Sequence, residues 1–338
     1  MEFQENRGPD FPVAIKIHLA LSAGRAVPYR RGPMHCVVTG AAGFIGSHLC
    51  DRLLADGHTV AAIDCFTDYY DRAIKEQNLE LARGHRRLSF REIDLAAGVP
   101  ADVVTGAEVV FHLAAMPGLV RSWTHFDDYV RCNITATQRL LVALKGVPTL
   151  RKLMYASTSS VYGLDANGDE TLPIVPSSPY GITKYAGEQL CRTMGVPTVV
   201  LRFFSVFGPR QRPEMGYSIF IDRLLDGKPI PLTGDGSHVR GNTFIDDCVE
   251  GLLRAVECPA GETYNLGGGE KVTVNHVIAT LEKIIGTTAT IERLPARPGD
   301  QLVTGADITK LTKATGWTPK TGVEDGLRQQ VEWRKANR

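Results

Sequence analysis

Val37-Val38-Thr39-Gly40-Ala41-Ala42-Gly43-Phe44-Ile45-Gly46 is the stretch on which the fold turns. An apolar run leads in, three glycines spaced G-x-x-G-x-x-G follow, and an amphipathic stretch over 44–56 leads out, which reads as strand, tight turn and helix. Glycine permits the turn and a close backbone approach, so amides at the helix N-terminus can meet a pyrophosphate. A plain structural turn has the same local pattern. The distinction comes from Asp64, which closes the next apolar run about 20 residues beyond the glycines, where an acid accepts hydrogen bonds from an adenosine ribose. A carboxylate there repels a 2′-phosphate, so NAD is favoured over NADP as cofactor.

Outward from this loop, 36–39, 59–63, 109–112, 152–157 and 198–202 read as buried strands. Helical candidates at 44–56, 126–144 and 180–194 lie between them. Near-continuous apolar runs belong in a parallel sheet covered on both faces, so the expectation is an α/β fold with a doubly wound Rossmann-type parallel sheet. Asp94 and Leu95 follow a strand at 88–93 and reach the adenine side of the groove. Leu113, Ala114 and Ala115 end the next strand in small residues that let backbone pass close to the cofactor. His112 is expected to pack or hydrogen-bond inside the sheet. Beyond about residue 205, Pro209, Pro213, Pro229 and Pro231 break the chain into shorter elements. The expected organisation is a Rossmann domain at 34–205 and a mainly substrate-binding lobe at 206–338, with some segments returning to the first domain. Residues 1–33 read as a tag or an upstream start, with Met34 as the functional beginning.

A 338-residue chain that is 43% hydrophobic, with 34 glycines, excludes disorder, a collagen repeat and a disulfide miniprotein. Thirty-eight basic against 37 acidic side chains leave a net charge of +1, which gives no electrostatic reason to expect nucleic acid or an anionic membrane as partner. Seven cysteines with no C-x-x-C pair read as reduced thiols of a cytoplasmic protein, without a metal site. No apolar run approaches the ~20 residues that span a bilayer.

Tyr180-Gly181-Ile182-Thr183-Lys184 places a phenol and an ammonium one helical turn apart. A nearby cation favours phenolate and a positively charged nicotinamide favours it further, so that a pKa of about 10 can be drawn toward neutrality, as a base for a sugar hydroxyl requires. Alone, the pattern is common on solvated helix faces. Here it follows a strand ending Tyr155-Ala156-Ser157-Thr158-Ser159-Ser160, whose hydroxyls open toward the same cleft.

Taken together, these motifs resemble the extended short-chain dehydrogenase/reductases of the nucleotide-sugar epimerase/dehydratase family, over essentially 34–333. The resemblance implies that Thr158 bridges substrate and base, that Tyr180 is the base, and that Lys184 holds the nicotinamide ribose. It gives NAD to Gly40, Gly43, Phe44, Ile45, Gly46, Asp64, Asp94, Leu95, Leu113, Ala114, Ala115, Tyr180 and Lys184. Family members that eliminate water resemble Thr-Asp-Glu after the strand, and those that decarboxylate a glucuronate resemble Thr-Ser-Glu. Thr158-Ser159-Ser160 lacks a carboxylate, and epimerisation is the outcome that needs no additional acid or base.

Two further segments resemble UDP-glucuronate 4-epimerases: 64–71 with Lys75, where Cys65 replaces the usual Asn, and 201–215, where Ser205 replaces Thr. The implied reaction is 4-epimerisation of a UDP-sugar, UDP-glucuronate favoured, through a 4-keto intermediate and without decarboxylation. Ser159, Ser160, Ser205 and Thr158 would meet the uronate. Gln211, Arg212, Arg240, Arg297 and Asp300 would serve the rest of the substrate, with bidentate guanidinium geometry suited to phosphate. Gly241-Asn242 departs from the commoner Asp-Phe after Arg240, and Arg121 receives no assignment. A homodimer is implied through the helices at 126–144 and 180–194. The competing readings are a 4-epimerase of a neutral UDP-hexose and a non-catalytic NAD-binding regulator.

Overall fold

A computed structural model describes residues 32–295 and 303–338. Nearly all of the extension, together with the expected site residues Arg297 and Asp300, lies outside the described residues. Seven parallel strands form the main sheet, in the order Thr263–Leu266, Thr198–Phe203, Lys152–Thr158, Val109–His112, His35–Thr39, Thr59–Asp64, Leu88–Glu92. The central strands are buried along almost their whole length, as apolar runs covered by helices on both faces must be, whereas the edge strand Leu88–Glu92 alternates with solvent. Val37, Ile63, Val110, Leu140, Leu141 and Leu153 knit sheet and helices into one core. Strand order reverses between His35–Thr39 and Val109–His112, which opens a crevice at the carboxyl ends of the strands.

A five-stranded sheet beside it joins Lys271–Thr273, Val239–Phe244, Val303–Ala306 and Ala166–Gly168, with Ser205–Phe207 paired to Val239–Phe244. Chain order and sheet membership interleave: Ala166–Gly168 leaves the first half of the chain for this sheet, and Thr263–Leu266 returns to the large one. Helix Pro179–Thr193 starts as its sequence dictates, with Pro179 in the first turn and Ser178 Oγ accepting from the Gly181 amide at 3.2 Å.

One helix differs from expectation. The stretch 126–144 runs as helix at Phe126–Tyr129, widens to a π-helix at Val130–Thr135, and resumes at Ala136–Leu144. The widened turn carries Asn133 inward. Its Oδ1 accepts from the Met116 amide at 2.7 Å, and its Nδ2 donates to Met116 O at 3.1 Å and to Thr183 Oγ1 at 3.0 Å. Insertions of this kind recur at functional sites. His112 lies inside the sheet as expected, bonded to Thr39 Oγ1 at 2.8 Å and Thr137 Oγ1 at 3.0 Å, and burial pushes its pKa down to about 3.

Candidate active site

A single cavity follows the crevice and has two chemically different ends. At one end Gly40, Gly43 and Gly46 make the floor. Gly40 takes φ +70, and a methyl there would stand 2.7 Å from the Ala114 amide nitrogen. A methyl on Gly46 would stand 2.1 Å from Gly40 O, so both glycines are required by close packing. Helix Phe44–Ala55 begins here with no side-chain cap and no acid in its first turn, and its first residues, Phe44 and Ile45, line the cavity. Asp64 is aimed by two amides: Oδ2 accepts from Ala42 at 3.0 Å and Oδ1 from Phe66 at 2.9 Å. Asp94, Leu95, Leu113, Ala114 and Ala115 complete this wall, and Asp94 is also ion-paired with Arg131. An uncapped helix N-terminus over a glycine floor, with an oriented carboxylate one strand away, fits an NAD dinucleotide.

Thr158, Tyr180, Lys184, Ser205 and Arg212 line the cavity further along. The Thr158 hydroxyl neighbours the Tyr180 phenol and favours its ionised form, while its Oγ1 donates to Ser160 Oγ and accepts from the Ser160 amide, both at 3.1 Å. The acids on the cavity wall are Asp64 and Asp94 alone among the described residues, both at the cofactor end. Arg212 Nε donates to Glu214 Oε1 at 2.6 Å, so the cation at the sugar end carries its own counter-charge.

From the protein's own groups, burial raises the Tyr180 pKa, and the Thr158 hydroxyl and the Arg212 charge only partly oppose that; the expected draw toward neutrality also enlists the positively charged nicotinamide. Lys184 is 3% exposed, with Nζ 4.5 Å from the Tyr155 ring centroid, and burial lowers its pKa to about 8 despite Cys191 and Glu188. Burial thus disfavours both charged forms on which base catalysis would depend.

A profile of the NAD dependent epimerase/dehydratase family matches residues 36–267. The chain belongs to that family. It is 41% identical over 309 residues to a Bacillus subtilis protein called uncharacterized UDP-glucose epimerase YtcB, covering 89% of this chain and 98% of that one. It is 36% identical to the UDP-glucuronate 4-epimerase of Thermodesulfobacterium geofontis, covering 89% and 96% of the two chains. The crystal structure of UDP-glucuronic acid 4-epimerase from Bacillus cereus, in complex with UDP-glucuronic acid and NAD, superposes with a TM-score of 0.87 at 39% identity. That superposition covers 90% of this chain and all of that one.

Within this epimerase-family chain not every expected substrate residue reaches the cavity. Gln211 is turned inward: Nε2 donates to Val206 O at 3.0 Å, and Oε1 accepts from Ser218 and from Gln330 Nε2, the latter at 2.9 Å. Its amide is engaged in packing and does not line the cavity, unlike the neighbouring Arg212. Ser159 and Ser160 form a 3-10 turn behind Thr158, with the Ser160 carbonyl against Gly181, and Arg240 lies on Val239–Phe244 with Nη1 donating to Val239 O at 3.1 Å; none of the three is on the cavity wall.

Sequence reading also missed a buried ion pair behind the base. Glu188 and Arg202, both almost fully buried, meet through two bonds of 3.0 and 2.8 Å. Ser157 Oγ donates to Glu188 at 2.5 Å, and Arg202 reaches Tyr162, whose hydroxyl donates to Asn265 at 2.7 Å. The signal was present: an arginine inside the apolar run 198–204 must find a buried partner.

Proposed function

We propose that the protein is an NAD-dependent 4-epimerase that interconverts UDP-glucuronate and UDP-galacturonate without loss of carbon dioxide. The observation that carries this reading is the sugar end itself: Tyr180, Thr158, Ser205 and Arg212 line one stretch of the cavity, with no acid at that end among the described residues. The names of the T. geofontis and B. cereus relatives support the substrate. When bound, NAD supplies a reversible hydride store for the sugar C4 carbon.

The chain's own residues do the remaining work. Gly40, Gly43 and Gly46 let backbone and helix terminus approach the pyrophosphate, and Asp64 accepts from the adenosine ribose. Tyr180 Oη takes the proton of the 4-hydroxyl, with Thr158 bridging, and Lys184 holds the nicotinamide ribose while favouring the phenolate. The Arg212 charge and the Thr158 hydroxyl oppose part of the burial that raises the Tyr180 pKa, and the positive charge of a bound nicotinamide would add to them. Thr158 and Ser205 offer neutral donors to the uronate. A 4-keto uronate is a β-keto acid, which loses carbon dioxide when its carboxylate bond aligns with the carbonyl π system, so holding the carboxylate out of that alignment protects the intermediate. The segment 206–338 would supply most of the substrate lobe.

Two features support a cytoplasmic homodimer. No disulfide links any of the seven cysteines. Phe126, Val142 and Ile182, on the two helical stretches, are 45%, 53% and 52% exposed, an apolar surface that a second subunit would cover. Light scattering of the parent and of a Val142→Glu/Ile182→Glu variant tests the dimer; identical masses for both would count against this face.

A second substrate reading has support of its own, since the B. subtilis relative bears the name of a UDP-glucose epimerase and Arg212 is already paired with Glu214. Paired assays separate the two. Epimerisation of UDP-glucuronate with little action on UDP-glucose supports the uronate; the reverse preference, or a pentose product with carbon dioxide, defeats it.

A further inference from the structure

The segment after Asp64 does more than end a strand. Phe66 takes φ +47, a left-handed backbone rare for an aromatic residue, and its amide is pinned to Asp64 Oδ1. The chain thereby doubles back along the cavity wall, where Thr67, Tyr69 and Tyr70 all appear. Lys75 ties one side of this strap, with Nζ donating to Thr67 O at 2.8 Å and standing 4.8 Å from the Tyr70 ring centroid.

Tyr69 extends from the strap toward the loop that follows Val109–His112. A methyl on Gly118, at φ +85, would lie 2.2 Å from Tyr69 Oη, so that the hydroxyl rests over glycine backbone. That loop is itself held by Tyr129, whose hydroxyl donates to Pro117 O at 2.6 Å and Gly118 O at 2.9 Å. Arg121 Cζ stands 5.4 Å from the Tyr69 ring centroid, and Arg212, Glu214 and Tyr180 also act electrostatically on the phenol. Tyr69 lines the same cavity as Tyr180 and Arg212, although the strap begins at the cofactor end. Its hydroxyl makes no hydrogen bond among the described residues.

We propose that Tyr69 is a substrate-binding residue whose phenol hydroxyl donates to an oxyanion of the sugar nucleotide beside Arg212. The inference rests on the UDP-sugar reading above and adds to it a recognition group. Burial raises the phenol pKa, so the side chain stays protonated and remains a donor. An oxyanion arriving beside Arg212 meets the Glu214 carboxylate already paired there, and a neutral donor adds attraction without a second counter-charge. The uronate carboxylate and the diphosphate share the required chemistry.

Tyr69→Phe keeps the ring over Gly118 and removes only the hydroxyl. Calorimetric titration of the NAD-loaded parent and variant with UDP-glucuronate, UDP-glucose and UDP reads the contact, alongside NAD content and kcat. The expected result is a Kd for UDP-glucuronate about tenfold weaker, with NAD content little changed. Weakening confined to UDP-glucuronate assigns the contact to the carboxylate, and weakening shared by all three assigns it to the diphosphate; either supports the proposal. Unchanged affinity for all three overturns it, as does loss of NAD or of kcat with Kd intact, which would make Tyr69 a structural part of the strap. Because the readout is binding, a parent that fails to epimerise UDP-glucuronate would defeat the function and leave this test standing.

Discussion

The two ends of the cavity are built by different means. At the cofactor end the critical atoms are backbone: glycines that tolerate no methyl, helix amides without a cap, and an aspartate aimed by two amides. At the sugar end they are side chains from distant segments, Tyr69, Thr158, Tyr180, Ser205 and Arg212, converging under burial that disfavours charge on the base and its lysine. A backbone site is rigid and serves any family member. A side-chain site can be changed residue by residue, and there the substrate is chosen. The contrast predicts that damage at one end should leave the other working.

The largest separation is expected from Tyr180→Phe. The rate should fall by about 10²–10⁴-fold while NAD remains bound, as measured by turnover and by cofactor released on denaturation. A variant that loses NAD as well would break the distinction between the ends, and one that keeps full activity would favour the non-catalytic reading.

Next comes the ion pair behind the base. Arg202→Leu leaves Glu188 buried and uncompensated, and urea unfolding should show a loss of about 3–5 kcal/mol. Replacing both residues with leucine should recover much of that loss; no recovery would show that the pair contributes more than mutual compensation.

Lys184 gives a pH-dependent case. Its folded pKa, lowered to about 8 from 10.5, lies below the unfolded value, so the native state bears the cost of the buried charge fully below pH 8. That cost is relieved as pH rises toward 10.5, where the unfolded chain also loses the proton. Lys184→Met should therefore stabilise the cofactor-free protein at pH 7 by about 3 kcal/mol, with the gain shrinking at pH 10, while activity is lost. Equal stability of parent and variant at both pH values would contradict the assignment.

The smallest effect is expected at the floor. Gly46→Ala should cost about 1–3 kcal/mol of stability by overpacking against Gly40 O, and should lower NAD content. The melting transition and the bound cofactor would be measured together. Unimpaired NAD binding would mean that the floor can relax.

Legibility in the sequence follows the same division. Gly40, Gly43, Gly46, Asp64 and the small residues at 113–115 were readable because their geometry is local, set by one turn and the strand ends beside it. Thr158, Tyr180 and Lys184 were readable as motifs, but not their electrostatics: whether a phenol is lowered by a cation or raised by burial depends on packing that no i, i+4 spacing encodes. The packing of Gln211 is not legible, because 208–212 is an irregular turn in which Arg210 takes φ +61 and no strand or helix period tells which side chains are buried and which, like Arg212, line the cavity. Asn133 was hidden because a π-helical turn leaves the amphipathic pattern of 126–144 intact while rotating one residue toward Met116 and Thr183.

The central claim is that one carbon of a uronate changes configuration while its carboxylate and its hydrogen are kept. UDP-glucuronate carrying deuterium at C4, incubated with the protein and followed by NMR, tests this most directly. The account predicts UDP-galacturonate with the carboxylate intact and the deuterium retained at C4. A product whose C4 label has exchanged with water, or a UDP-pentose formed with carbon dioxide, would contradict it.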